Sequence, residues 1–324
     1  MDLPFHKYTC LGNHFVVFDF SLSVQIPPLP DLARWAADQT CGVGADGVIT
    51  VEPGRDGANT PVVRFFEPSG DEFLMCGNGL LCICLHFHLN RGGSEAHVHI
   101  SSFSGRKLKV KLSYQYLHNT CEASLDYDPT DARHFVNGCT SLTNEGEPFD
   151  IQLDIPALGL PLHGFVTFTG EPHLIIFEAR EWESWAGVSR ERISSFGGSS
   201  AFLRMVGDYL NQHDRSFFPL GINVNLAVLH PHGRFEYRTY ERGLFRETLA
   251  CGTGAAAVAA VADHLLGVGE QRWIAYPQGA LSHPVFKEHA QITVQGKCLS
   301  SRPRLVFRGT METENDGSIF PVHG

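Results

Sequence analysis

Cys76-Gly77-Asn78-Gly79 has a near copy at Cys251-Gly252-Thr253-Gly254, and each runs straight into an apolar, helix-forming segment, 80–89 and 255–266. A helix start leaves backbone N–H groups unpaired and carries the positive end of the macrodipole, so it attracts anions. A thiol placed there loses its proton more readily than a free one. The glycines let backbone approach a ligand closely. One such turn alone reads as a buried structural cysteine beside a tight bend. A second copy reverses that reading: two thiols and two amide-lined cradles around one ligand are the equipment for moving a proton on and off a carbon next to a carboxylate.

The flanks of the two turns repeat as well. A strand ending at Glu67 lies nine residues before Cys76, and one ending at Glu241 lies ten before Cys251. Gly12-Asn13 follows the first strand of one half, and Gly170-Glu171 stands in the matching place of the other. Two copies of a strand–turn–helix domain, docked so that the cysteine turns face each other across a cleft, is the predicted architecture. The domains are expected at 1–120 and 121–309.

The pattern of apolar and turn residues predicts strands at 5–10, 15–19, 48–52, 62–67, 97–103 and 107–112 in the first half. A short helix capped by Asp31 is expected through about residue 39. Gly92-Gly93 ends the helix after Cys76. Residues 121–164 are turn-rich and carry no clear period. Beyond them, strands are expected at 165–168, 174–177, 224–229, 234–241, 273–276, 292–294 and 305–307, with a helix over 201–210.

At 324 residues with 43% apolar and 19% charged residues, the chain is long enough for two globular domains. A formal charge of −10 argues against a nucleic-acid partner. No stretch is long and apolar enough to span a bilayer, and Met1-Asp2-Leu3-Pro4 lacks the basic-then-apolar opening of a signal peptide. Nine cysteines without a disulfide rhythm favour a reducing cytoplasm.

Other chemistries fit less well. Cys82 and Cys84 fall inside the first helix and read as core; Cys10, Cys121, Cys139 and Cys298 lack metal-ligand spacing. His86, His88, His97 and His99 read as one helix face and one strand face, so no metal is expected. No Gly-x-Ser-x-Gly elbow supports a serine hydrolase. The run from Gly42 to Gly47 opens a strand instead of following one, which argues against a dinucleotide loop.

The chain resembles the diaminopimelate epimerase family in Leu11-Gly12-Asn13-His14-Phe15, Cys41-Gly42-Val43-Gly44-Ala45-Asp46, Cys76-Gly77-Asn78-Gly79, Pro172-His173, Tyr240-Glu241-Arg242-Gly243 and Glu247-Thr248-Leu249-Ala250-Cys251-Gly252-Thr253-Gly254. The resemblance implies an α/β (α+β) fold of two pseudo-symmetric domains, each a strand barrel around a central helix. A last strand, about 310–324, would return to the first domain. It also implies an isomerase without a cofactor, a small amino-acid substrate and a homodimer. Carried over by position, Cys76 and Cys251 match the acid–base pair, and His173 and Glu241 match residues that assist the thiols. Gly77, Asn78, Gly252 and Thr253 match the helix starts that hold the reacting carboxylate. Amides aimed at that developing charge stabilise the transition state. Asn13 and Asn223 match substrate-binding amides, and Arg242 a clamp on the far carboxylate.

Four positions depart from the family: Glu67 and Glu171 stand where asparagines are usual, Gly47 where glutamine is, and His14 where aspartate is. The loop after Arg242 is one residue longer, with Phe245-Arg246. A carboxylate beside a substrate carboxylate is repulsive, so Glu67 and Glu171 would suit a substrate with a cationic far end. Diaminopimelate (LL to meso) is the default substrate; histidine, lysine or arginine is the alternative. The same fold hosts double-bond isomerases of small unsaturated acids and could serve as a binding module without chemistry, but retention of both cysteines speaks against both.

Overall fold

The computed structural model describes residues 2–22, 26–54, 60–138, 147–179, 187–269 and 271–312; Cys139 and the expected strand residues past 312 lie outside them. The chain divides into two compact units, 1–124 together with 301–324, and 125–300. The boundary therefore falls after Ser124, not Thr120.

The first unit runs β1 (Asp2–Cys10), β2 (Asn13–Asp19), α1 (Leu29–Ala37), β3 (Gly47–Glu52), β4 (Val62–Phe66), β5 (Glu72–Phe73), α2 (Gly77–Arg91), β6 (Glu95–Ser101), β7 (Lys107–Gln115) and β8 (Thr120–Ser124). A terminal strand, Arg304–Glu312, pairs antiparallel with β1 from Asp2 to Thr9. It starts earlier than the expected 310. Pairing then runs β1–β2 antiparallel, β2–β3 parallel, β3–β4 antiparallel, β4–β6 parallel, and β6–β7–β8 antiparallel.

Helix α2 touches β1, β2, β6, β7, β8 and the terminal strand. Both ends of the strand order meet the same helix, so the sheet curls around it. That explains the helix's composition, because every residue from Gly77 to Phe87 is buried and no polar face is left. Its last turn ends at Gly92, whose φ of 70° suits glycine. β7 shows the opposite pattern: Leu108, Val110 and Leu112 point inward while Lys107, Lys109 and Lys111 face water.

The second unit repeats this order. It runs β9 (Phe149–Leu153), β10 (Leu162–Phe168), β11 (Pro172–Ala179), β12 (Val188–Ser189), α3 (Arg190–Ser195), α4 (Ser199–Asp208), β13 (Asn223–His230), β14 (Arg234–Glu241), β15 (Arg246–Thr248), α5 (Gly252–Leu266), β16 (Arg272–Pro277), β17 (Ile292–Gln295) and β18 (Cys298–Ser301). Antiparallel and parallel pairings alternate as in the first unit, with β10–β11–β13–β14–β16–β17–β18 matching β1–β2–β3–β4–β6–β7–β8. β9 takes the place of the terminal strand. Helix α5, buried from Gly252 to Ala259, packs on β10, β11, β13 and β17.

Two expectations need correction. α1 begins at Leu29 behind Pro28, because proline suits a first turn, and Asp31 sits inside that turn bonded to Arg34 instead of capping it. The turn-rich stretch holds β8, β9 and the start of β10, strands too short to show a period. No helix among the described residues is long and apolar enough to cross a membrane.

Candidate active site

In the first unit Cys76 is the N-cap residue of α2, in extended conformation, and its sulfur accepts the Gly79 N–H at 3.3 Å. The cysteine thus fills the place that serine or aspartate usually takes, with a weak acceptor in place of a strong one. Its thiol faces Asn13 Oδ1 at 3.9 Å. Asn13 enters from the β1–β2 hairpin, whose loop residues Leu11 and Gly12 both have positive φ. Asp46, from the glycine-rich turn before β3, accepts from Asn13 Nδ2 at 3.2 Å and from the His14 N–H at 3.1 Å. That bond turns the amide so that its oxygen points at the sulfur. Gly77 and Asn78 are buried at the helix start, and Glu67 sits just past β4 with its N–H donating to the Asp71 carbonyl at 2.9 Å.

The second unit builds the same turn with more polar support. Cys251 caps α5, accepting the Gly254 N–H at 3.4 Å, and its sulfur lies 3.4 Å from Thr253 Oγ1. Tyr237 Oη donates to the Cys251 carbonyl at 2.8 Å, and Thr169 Oγ1 donates to the Thr253 carbonyl at 3.0 Å. Burial pushes the Cys251 thiol well up, and nearby Glu241 adds to this; the Thr253 hydroxyl and Gly254 amide oppose it but do not prevail. Cys251 is therefore a protonated thiol near neutral pH. Glu241, at the end of β14, is held by Thr248 Oγ1 at 2.5 Å.

His173 lies on β11, opposite Asn223 on β13, and is completely buried. Burial, and then the charge of Arg242, lower its pKa to about 3, so the ring is neutral. Nδ1 accepts from Asn225 Nδ2 at 3.0 Å, while Nε2 is buried with no partner. Arg242 donates its backbone N–H to Asn223 Oδ1 at 3.0 Å. Its side chain meets Glu171 Oε2 through Nε at 2.9 Å and Nη2 at 2.8 Å, and its guanidinium stands over the Phe135 ring. Nη1 donates to the Leu220 carbonyl at 3.2 Å. Glu171 Oε1 is buried and has no partner. The arginine expected to clamp a substrate carboxylate is thus already matched by a carboxylate of the chain.

Cys76 and Asn13 meet in the first unit. In the second, Arg242 gathers Glu171 and Asn223, and the turn at Cys251 joins Thr253 under the influence of Glu241. Asp46, Asn225, Tyr237, Thr239 and Thr248 also support the site, and none of them stands out in the sequence as a site residue. Aligning the halves strand by strand would have exposed Asn225 and Thr239, which stand where the first half has Ile49 and Phe65.

The diaminopimelate epimerase family model matches residues 5–121. A diaminopimelate epimerase of Methanothrix thermoacetophila is 31% identical over 83% of this chain and 84% of its own. That of Synechococcus elongatus is 30% identical over 96% of this chain and 99% of its own. A solved hydroxyproline epimerase from Agrobacterium vitis shares the fold, with a TM-score of 0.63 at 13% identity over 98% of this chain and 95% of that one. Such a fold, with relatives of this kind, is that of an isomerase of the epimerase and racemase class. Within that class the chain belongs to the diaminopimelate epimerase family.

Proposed function

We propose that this enzyme inverts the α-carbon of an amino acid by a two-base mechanism that needs no cofactor, with Cys76 and Cys251 acting from opposite faces. The observation that carries the reading is that both cysteines cap their helices identically, each sulfur in contact with the amide of the third residue along. A thiol pushed up by burial and by Glu241 suits Cys251 to the part of acid for one substrate hand, with Cys76 as the base; the roles exchange for the other. Backbone amides at Gly77, Asn78, Gly252 and Thr253, at the positive ends of their helices, would hold the α-carboxylate and stabilise the charge that builds up as the α-proton leaves. Asn13 and Asn223 would orient the substrate, and Glu67 would lie against it.

Diaminopimelate is the substrate that the relatives' names suggest. A second reading has its own observation: Arg242 is paired with Glu171, whose other oxygen is buried and free. A carboxylate oxygen in that state invites a donor, so an amino acid with a cationic side chain, such as histidine, lysine or arginine, fits it. The test is to incubate reduced protein in deuterated water with diaminopimelate and with a panel of L-amino acids, and to follow α-proton loss. Exchange of diaminopimelate alone supports the first reading, and exchange of basic amino acids alone the second. Absence of exchange with any amino acid rejects both.

A further inference from the structure

Three buried polar side chains, His173 on β11, Asn225 on β13 and Thr239 on β14, form a bonded row in the second unit. Asn225 Nδ2 donates to His173 Nδ1 at 3.0 Å, and Asn225 Oδ1 accepts from Thr239 Oγ1 at 2.7 Å. Nδ2 also faces the Leu174 carbonyl at 3.4 Å, a group that only accepts. Turning the amide over would set two carbonyl oxygens against each other, so its orientation is fixed. With Nδ2 as donor, Nδ1 carries no proton, and the proton of the neutral ring is on Nε2.

The first unit is an internal control for this row. Asn225 stands opposite Thr239 as Ile49 stands opposite Phe65, and His173 stands opposite Asn223 as Phe15 stands opposite Gly47. The pairs Asn225–Thr239 and Ile49–Phe65 lie under the last residue of their cysteine turns, Gly254 and Gly79. A Cβ on Gly254 would fall 2.6 Å from Asn225 Oδ1 and 3.1 Å from Thr239 Oγ1; one on Gly79 would fall 2.9 Å from Phe65 and 3.0 Å from Ile49. The fold therefore fills one place with phenylalanine, isoleucine and phenylalanine in one unit, and with histidine, asparagine and threonine in the other. Buried polar groups are unfavourable unless bonded, and apolar ones serve the architecture well here. The polar row exists for the ring.

We propose that Asn225, held by Thr239, is a positioning residue that fixes His173 as its Nε2–H tautomer. His173 then takes part in the reaction as a neutral hydrogen-bond donor through Nε2, not as a base. This rests on the reading that His173 belongs to the reacting site.

The tautomer can be read directly by nitrogen NMR of histidine-labelled protein, with the His173 signals assigned by their loss in His173→Gln. The expected result is a protonated Nε2 and a bare Nδ1, unchanged between about pH 5 and pH 9. In Asn225→Asp a carboxylate accepts where the amide donated, so the proton should move to Nδ1 and kcat should fall about tenfold or more, with KM changed by less than about threefold. Asn225→Ile, which copies Ile49, should release the ring to a tautomer mixture while melting cooperatively. A proton on Nδ1 in the unaltered protein overturns the proposal, whether or not either variant folds. So does a His173 spectrum or a kcat that Asn225→Asp leaves unchanged. Failure of α-proton exchange with every amino acid instead rejects the proposed function, and the tautomer remains readable without it.

Discussion

At residue scale, among the described residues of the second unit two buried side-chain atoms without partners stand out, His173 Nε2 and Glu171 Oε1. Such groups are costly unless a ligand completes them. Glu171→Asn takes a carboxylate away from Arg242 and should shift preference toward a substrate with a distal carboxylate. A gain of about tenfold in relative kcat/KM corresponds to about 1.4 kcal/mol, measured by competing diaminopimelate against lysine; an unchanged ratio would place Glu171 outside specificity. Replacing Cys76 or Cys251 with alanine should each cost about 10²–10⁴-fold in inversion rate, read by polarimetry or a coupled assay.

His173 also links stability to pH. Its ordinary pKa of 6.5 applies to the unfolded chain, and the folded value is about 3. Between them the unfolded state binds the extra proton, so stability is full above the unfolded value and is lost as pH falls toward the folded one. The slope approaches about 1.4 kcal/mol per pH unit. Urea titrations of His173→Gln should show a flatter loss between about pH 6 and pH 5 than those of the unaltered protein. Identical slopes would mean the ring is not buried neutral.

At the scale of elements, the two helix starts lie so close on their sheets that neither has room for a side chain at its third residue. Gly79→Ala and Gly254→Ala should each destabilise by about 1–3 kcal/mol through overpacking. Only Gly254→Ala should also depress kcat, because its methyl would press on Asn225 Oδ1. Thermal melts paired with rates separate the two effects.

This scale also shows what the sequence could and could not convey. The cysteine turns, their glycines and both central helices were readable because a repeated motif followed by an unbroken apolar run has few alternatives. β14 was read to its ends, since Phe235, Tyr237 and Thr239 alternate with polar residues up to Glu241. Asp31 is a good cap in isolation and draws the expected start of α1 along the chain, whereas the prolines at 28 and 30 set it. The Asp46–Asn13 bond and the Glu171–Arg242 pair join residues 33 and 71 positions apart, and no local pattern signals either.

At the scale of the whole molecule, the first unit is sewn shut by the terminal strand, while the second is contiguous. Ending the chain after Pro303 would strip β1 of its partner from Asp2 to Thr9 and expose Phe5, which packs edge-on to Phe307. Amide exchange in β1 and β2 should then rise toward that of unfolded chain, while β13 and β14 keep their protection. Uniform loss in both sheets would show that the units do not hold their stability separately.

The discontinuity has a consequence for how the polypeptide is made. The strands of 2–124 must wait for 304–312, which are made after the whole of the second unit, before their sheet can be completed, whereas the described strands of 125–300 are all present once that stretch leaves the ribosome. Maturation should therefore run against the direction of synthesis. Nascent chains stalled once residues up to 303 have emerged from the exit tunnel should keep β10, β11, β13 and β14 protected from protease and be cut in β1 and β2; protection of both sets would show that the strand at 304–312 is dispensable to the first unit.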